Sequence, residues 1–141
     1  MNQPDSAIQQ KWGADVLSHG FQVLPDLLFK YQSKLGVEEG QDCPVTSTEM
    51  VVLLNILSFW WRVDRPIFPS AELLAKRVGV ERRSIDRAVQ GLVKKQLLKK
   101  TREGHRVLYD PKDLPSRLRD LARADQESNP GTRSRLEEAP F

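Results

Sequence analysis

The longest apolar stretch of the chain lies at residues 50–61, where ten of the twelve side chains are apolar and only Asn55 and Ser58 are polar. Thr46 and Glu49 precede it at the spacing of a capping box, so the pattern predicts that a helix begins there. A helix that is apolar on nearly every side must be covered on nearly every side, which predicts a central core helix. The stretch is too short to cross a lipid bilayer, which requires about 20 residues.

Two further helices, each with one apolar face, are predicted after residue 70. The first has apolar side chains at helical spacing, at Ala71, Leu74, Ala75 and Val78. Ser70 is a suitable N-cap for it, and Gly79 follows where a helix needs a left-handed residue to end. The second helix starts near Arg82, and its apolar side chains are Ile85, Ala88, Val89 and Leu92. At about 100° per residue, its opposite face is a stripe of Arg83, Arg87, Gln90 and Lys94.

Residues 98–109 predict a two-stranded hairpin that turns at Glu103 and Gly104. Ile67 and Phe68 form a short extended pair that is able to add a strand to this hairpin. Four basic side chains cluster at or near the tip, namely Lys100, Arg102, His105 and Arg106. We interpret the hairpin as a wing that contacts nucleic acid, because it follows the two helices without a gap. A plain hairpin whose edge is made soluble by charge is the alternative.

The rest of the chain gives weaker patterns. Residues 21–24 predict a short strand or extended arm, residues 25–35 a helix, and residues 37–44 a polar loop. A last helix is predicted from Pro115, with leucines spaced by four and three at Leu114, Leu118 and Leu121. The predicted organisation is a flexible arm at 1–20, one domain with N-terminal and C-terminal helical extensions at 21–124, and a disordered tail at 125–141.

Positive charge is concentrated in one segment of the sequence. Residues 76–106 contain eleven Lys and Arg against three acidic residues, a formal charge of +8, whereas the remaining residues carry −5 and the whole chain +3. Two helices and a hairpin that hold nearly all of the positive field favour the phosphate backbone of a nucleic acid as the partner.

A family resemblance adds to this interpretation. It rests on the small residue Ala75 inside the first helix, the turn at Gly79, and the apolar residues Ile85 and Ala88 six and nine places after it. The longer run at 68–100, FPSAELLAKRVGVERRSIDRAVQGLVKKQLLKK, resembles the winged helix-turn-helix domains of bacterial regulators and replication proteins. Residues 20–37, GFQVLPDLLFKYQSKLGV, are also similar to the N-terminal domain of primosomal DnaD-type proteins. The resemblance implies a mainly α winged helix-turn-helix with a small β-wing. It departs at Glu81, where such families often have Ser or Thr.

The side chains expected to contact DNA follow from their chemistry. The recognition helix is expected to contribute Arg82, Arg83, Ser84, Arg87, Gln90 and Lys94. Wing and backbone contacts are expected from Ser70, Lys100, Arg102, His105 and Arg106. Arg presents a fork that matches a guanine edge, Gln can read adenine, and hydroxyl groups suit phosphate oxygens. Arg82 and Arg83 lie in the first turn, where the helix dipole disfavours cations, which indicates an external anion or a guanine edge. For any single Arg, a solvated surface charge is the alternative.

Four apolar side chains are candidates for a dimer or partner interface, although burial in the core is the preferred interpretation for the last helix: Trp60, Trp61, Leu118 and Leu121. Adjacent residues on a helix point about 100° apart, which favours an interfacial position for one of the two Trp side chains. We expect a homodimer, and for the tail at 125–141 a short peptide that binds a protein partner is the alternative to plain disorder.

Other classes of protein are disfavoured. A single cysteine, Cys43, excludes an internal disulfide, and His19 and His105 have no Cys or acidic cluster at ligand spacing, so no metal or cofactor is expected. The sequence has no phosphate-binding glycine loop and no nucleophile motif, so we expect no catalytic residue and no enzyme. The polar start lacks a signal-peptide pattern, so we expect a cytoplasmic, nucleoid-associated protein without a membrane segment.

Three functions fit these patterns. The preferred one is sequence-specific binding of double-stranded DNA, as a bacterial transcriptional regulator. The second is the DNA-binding module of a plasmid or mobile-element protein of replication, partition or conjugation. The third is a winged helix that binds other proteins and no DNA.

Overall fold

The computed structural model describes residues 6–128. Its elements in chain order are α1 (Ser6–Trp12), α2 (Ala14–Leu17), α3 (Leu27–Lys30), a 3-10 turn (Gln32–Lys34), β1 (Gly36–Glu38), β2 (Gln41–Cys43), α4 (Ser47–Leu57), α5 (Ala71–Val78), α6 (Arg82–Lys94), β3 (Lys99–Glu103), β4 (Arg106–Asp110) and α7 (Asp113–Ser128). The fold is mainly α, and a small antiparallel hairpin follows α5 and α6. It is a winged helix-turn-helix, as the sequence predicted.

The core forms around α4. The predicted capping box is present, because the Thr46 hydroxyl accepts from the Glu49 backbone N–H and the Glu49 carboxylate accepts from the Thr46 backbone N–H. Leu53 and Ile56 are fully buried, in line with a central helix. The helix ends at Leu57, earlier than the apolar run, and Phe59 to Trp61 lie outside it. The Ser58 hydroxyl donates to a carbonyl of the last turn, which satisfies one of the backbone groups that a helix end exposes.

The helix-turn-helix consists of α5 and α6. The Ser70 hydroxyl accepts from the backbone N–H of Leu73 and caps α5, and Gly79 ends it in the left-handed conformation at φ 78°. The second helix begins at Arg82 with Glu81 as its N-cap, although the Glu81 side chain makes no capping hydrogen bond. The predicted start of this helix is therefore confirmed, despite the departure at the cap.

The wing is the antiparallel pair β3–β4, with Lys100 opposite Tyr109 and Glu103 opposite Arg106. Ile67 forms an isolated bridge with Tyr109, so the predicted extra extended segment does join the hairpin. Burial of Tyr109, followed by the negative charge of Asp86, raises the pKa of its phenol. One face of the wing is therefore fixed against the core through Ile67 and Tyr109.

The N-terminal half differs most from the sequence-based expectations. Residues 21–24 form no strand, and the helix predicted at 25–35 is divided into α3 and the 3-10 turn. The polar loop predicted at 37–44 is wrong, because β1 and β2 form a hairpin there. Its turn, Glu39 and Gly40, has positive φ at both positions, 52° and 78°. That is the two-residue geometry that fits the twist of paired strands, reached here with Glu in place of the usual Asn or Asp.

The two ends also differ from their expectations. The expected flexible arm at 1–20 contains α1 and α2, and α7 continues past the predicted boundary at 124 to Ser128. The carboxylate of Asp125 is buried, accepts a hydrogen bond from the Tyr31 hydroxyl and lies 3.5 Å from Lys30 Nζ. This hydrogen bond, followed by burial and the charge of the same carboxylate, raises the pKa of Tyr31. The contact fastens α7 to α3, so the helix extends into the segment expected to be disordered. The remainder of that segment, 129–141, lies outside the described residues, as do residues 1–5.

Candidate nucleic-acid interface

The outer face of α6 is an exposed polar stripe, as the helical period predicted. Arg83, Arg87, Gln90 and Lys94 are all exposed. On the opposite face, Ile85, Ala88, Val89 and Leu92 are buried. Burial of the apolar face fixes the rotation of α6 about its axis, so the polar stripe has a defined direction. We call the four exposed residues the recognition stripe.

Two arginines of the recognition stripe are not neutralised within the fold. Arg83 and Arg87 form no ion pair with any acidic residue between 6 and 128. Gln90 is likewise exposed, and no hydrogen bond of its side chain occurs in this part of the chain. These three side chains are therefore available to an external partner.

Arg82 differs from its neighbour. Its guanidinium is paired with Glu72 of α5, and its Nε atom lies 3.9 Å from Asp86 one turn along α6. Because these two acids supply negative charge within the fold, Arg82 needs no external anion to balance its charge, and its contact with DNA stays a prediction. The position of Arg82 joins the two helices of the motif.

The positive segment is also partly neutralised at the other end of α6. Lys94 lies 3.4 Å from Glu38, Lys99 lies 3.7 Å from Asp113, and Lys95 is paired with Glu49. Four of the eleven cations thus have carboxylate partners. The seven without one in the described residues are Lys76, Arg77, Arg83, Arg87, Lys100, Arg102 and Arg106. The local field is smaller than the sequence charge of +8 suggests.

Lys95 and Glu49 form a nearly buried pair between the end of α6 and the start of α4. Their side chains are 13% and 10% exposed, and the same Glu49 carboxylate completes the capping box. Gly91 of α6 lies directly against this carboxylate, and a Cβ at that position would overlap Glu49 Oε2. The absence of a side chain at Gly91 therefore makes room for the Glu49 carboxylate between α4 and α6.

The two serines of the predicted set lie in different surroundings. Ser70 Oγ already accepts the capping hydrogen bond from Leu73, which leaves its hydroxyl proton free for a phosphate oxygen. Ser84 is half-buried and lines a polar notch of about 270 Å³. The other residues of the notch are Thr46, Thr48, Glu49, Arg87 and Ala88. Sequence analysis missed Thr48, because only the packing of α4 on α6 brings it into the same notch as Arg87.

The wing divides its basic side chains between two faces. Lys100 and Arg102 lie opposite Tyr109 and Val107 in the strand register, so they are on the same face of the hairpin as these two residues. Both basic side chains are exposed. Arg106 lies on the other face, where its guanidinium is 4.8 Å from the centre of the Phe68 ring. His105 is exposed in the turn. The wing residues predicted for DNA contact are thus brought to one hairpin but not to one face, and Phe68 is a support that sequence reasoning did not identify.

The four residues predicted for an interface separate into core and surface. Leu121 is buried at 5% exposure, Leu118 and Trp60 are half-buried, and Trp61 is 60% exposed. Trp61 borders an open apolar cleft of about 750 Å³. The cleft is lined by Phe21, Gln22, Val23, Leu24, Pro25, Leu57, Ser58, Trp60, Trp61, Pro115 and Leu118. Leu121 is therefore a core residue, whereas Trp61 remains on the surface and stays a candidate for an interface.

Neither a metal-binding cluster nor a membrane-spanning helix is present between residues 6 and 128. In that range no three His, Cys, Asp or Glu side chains come together as a group able to hold a metal ion. None of the helices in the same range is both long and apolar enough to span a membrane.

The comparison with protein families supports a DNA-binding role for the α4–α6 unit. Residues 46–98 match the family described as helix-turn-helix domain. No curated protein matches the chain. The matched range contains the capping box of α4, both helices of the motif and the whole recognition stripe, whereas the wing follows it. The chain thus contains a helix-turn-helix domain, the kind of domain that binds DNA.

Proposed function

We propose that the chain binds double-stranded DNA sequence-specifically by inserting α6 into the major groove. The observation that carries the proposal is the set of Arg83, Arg87 and Gln90, which share one exposed face and have no acidic partner in residues 6–128. A major groove admits one α-helix, and its base edges present acceptors and donors that Arg and Gln side chains can read.

Each exposed group has a role in this proposal. Arg83 and Arg87 bind guanine edges, where a bidentate pair discriminates by about 1–3 kcal/mol. Gln90 reads adenine or the adjacent backbone. Lys100 and Arg102 of the wing contact phosphates, which adds affinity for all sequences alike. Arg82 supports the geometry of the motif and contributes little to base reading.

The proposed form on DNA is a homodimer that regulates transcription in a bacterial cell. The likeness of residues 68–100 to bacterial regulators supports this role. A dimer would place two copies of α6 in successive major grooves on one side of the duplex, about 34 Å apart. The site bound would then consist of two half-sites with two-fold symmetry. We also propose that the C-terminal tail binds a protein partner and that the chain catalyses no reaction.

Selection of bound duplexes from a random-sequence pool, followed by sequencing, tests the proposal. The expected result is a short motif in two inverted copies, with affinity that decreases steeply as salt increases. If about five phosphates are neutralised, the slope of log affinity against log salt is about −4 to −5. An unenriched pool together with the absence of duplex binding at low salt would contradict the proposal and favour a winged helix that binds proteins.

A further inference from the structure

The N-terminal arm, residues 6–20, presents apolar side chains to solvent. Trp12 and Val16 are each 56% exposed, and α1 buries none of its residues among those described. Within α1 and α2, only Leu17 is buried, at 8% exposure. The arm is thus buried at Leu17, while Trp12 and Val16 remain more than half exposed. An exposed Trp and an exposed Val in one short segment are typical of a contact surface.

The cleft beside the arm is the second uncovered apolar surface. Its lining residues carry no ionisable side chain, and Trp61 and Val23 on its border are 60% and 79% exposed. Gln22 fixes one wall, because its side-chain amide donates to the carbonyl of Leu54 in α4 at 3.2 Å. The cleft is therefore a preformed concave surface suited to apolar side chains.

The arm is poorly placed to fill the cleft of its own chain. Residues 21–25, which continue directly from the arm, form one wall of the cleft, and only residues 18–20 separate them from α2. In the structure neither Trp12 nor Val16 lines the cleft of its own chain, and both side chains stay 56% exposed. Gly20, at φ 108°, gives the connection a backbone conformation that favours glycine. A short connection of this kind favours exchange of an element between two copies over back-folding.

We infer that two copies of the chain exchange their arms, so that Trp12 and Val16 of each copy fill the cleft of the other beside Trp61. The contact is two-fold symmetric and closed, because each copy supplies one arm and one cleft. Each copy contributes two large aromatic side chains, Trp12 and Trp61, whose exposed fractions of 56% and 60% are available for burial. Together with the apolar residues around them, they supply part of the roughly 800 Å² per partner of a stable interface.

The exchange is compatible with DNA binding. None of the residues that line the cleft belongs to α6 or to the wing, so the recognition stripe stays uncovered in the dimer. The inference deepens the homodimer of the proposed function and rests on that part of it. The oligomeric state and DNA binding are therefore measured separately, so that failure of one is distinguishable from failure of the other.

Sedimentation velocity of the full chain over a wide concentration range tests the inference. We expect a dimer for the wild type. Dissociation constants should increase about thirtyfold or more for the arm variant Trp12→Ser/Val16→Ser and for the cleft variant Trp61→Ser, as for loss of an interface hot spot. Phe29→Ser is the matched control, since Phe29 is 48% exposed but lies in neither surface, and its dimer should be unchanged. Circular dichroism checks that all three variants are folded.

Mixing the two defective variants distinguishes exchange from any other dimer. The arm variant retains an intact cleft and the cleft variant retains an intact arm, so the mixture should form a heterodimer with one restored arm-in-cleft contact. A wild type that is monomeric throughout, or a dimer that neither variant weakens, would overturn the inference. So would a result in which truncation of the monomeric arm variant after Ser128 increases the quenching of its tryptophan fluorescence by a soluble quencher. That result would show that the tail occupies the cleft. Binding of a single half-site duplex by the monomeric arm variant shows whether the DNA-binding part holds independently.

Discussion

The two ends of α6 carry similar positive charge in different surroundings. Near its start, Arg83 and Arg87 face outward without an acidic partner among the described residues, whereas at its end Lys94 and Lys95 are paired with Glu38 and Glu49. The acids at the second end come from β1 and α4, far away in the sequence. The difference shows that the positions of acidic residues in the folded chain decide which cations remain available to a phosphate backbone.

The two ends of α6 also differ in what they contribute to the stability of the fold and to the proposed DNA binding. The Lys95–Glu49 pair lies between two core helices and is nearly buried, so removing one partner leaves an uncompensated charge. The exposed cations near the start of α6 contribute little to stability, because solvent screens their interactions. One helix therefore has a structural end and an end that is free to bind.

The largest expected effect is at the structural end. Glu49→Ala removes the capping-box acceptor and leaves Lys95 without its carboxylate, so the free energy of unfolding should decrease by about 3 kcal/mol. Urea unfolding at equilibrium measures this loss. Glu38→Ala is the matched control, because its partner Lys94 is 77% exposed, and it should cost no more than about 0.5 kcal/mol. Equal losses for the two variants would contradict the distinction.

Near the start of α6, where Arg83 and Arg87 lack acidic partners among the described residues, the expected effect is on DNA binding. Arg83→Ala should weaken binding to the selected site by about 1–3 kcal/mol, roughly 5- to 150-fold, and affect a scrambled duplex much less. Arg82→Ala, in the adjacent position, should have a small effect on both duplexes, because Glu72 and Asp86 already neutralise Arg82. Fluorescence anisotropy with both duplexes measures the effect. A result in which Arg82→Ala changes base preference more than Arg83→Ala does would reverse the assignment.

Local signals made the motif predictable. Ser70 as a cap, Gly79 as a left-handed stop and the apolar period of the second helix each act within a few residues, and the structure agrees with all three. The recognition stripe followed from the same period. The β1–β2 hairpin was missed because its turn has Glu39 where Asn or Asp usually marks the geometry.

The ion pairs could not be predicted from the sequence. Glu72 and Arg82 are ten residues apart, and Glu49 and Lys95 forty-six, so only the packing of helices brings them together. Charge counted along the sequence therefore indicates a region for the proposed interface but not which of its cations lack acidic partners. The polar notch at Thr48 and the cleft at Trp61 also depend on packing between elements that are separate in the chain.

A smaller effect is expected from the wing. Lys100→Ala should weaken binding to selected and scrambled duplexes by the same factor and make the salt slope less negative by about 1, as for the loss of one phosphate contact. Lys99→Ala is the matched control on the same strand, since Lys99 already lies 3.7 Å from Asp113. A change in base preference on Lys100→Ala, or an unchanged salt slope, would argue against a backbone contact.

The smallest expected effect concerns alkaline stability. The pKa of Tyr31 is raised in the folded chain because its hydroxyl donates to Asp125. A raised folded pKa means that this stabilisation is fully present below the pKa of an unfolded Tyr, about 10, and is lost as the pH increases through the folded value. Tyr31→Phe should therefore be less stable than the wild type at neutral pH, and the difference should decrease at alkaline pH. Thermal melts across this range measure it, and a constant difference would show that the hydrogen bond has no such role.

The most direct test of DNA binding through α6 is a titration of the isotope-labelled chain with duplex DNA, followed by NMR chemical-shift changes. We expect the changes to concentrate at Arg83, Arg87 and Gln90 on α6 and at Lys100 on the wing, while Lys95 at the end of α6 stays unchanged. Changes that concentrate at Lys95 or around the cleft, with the recognition stripe unaffected, would show that α6 does not enter the groove.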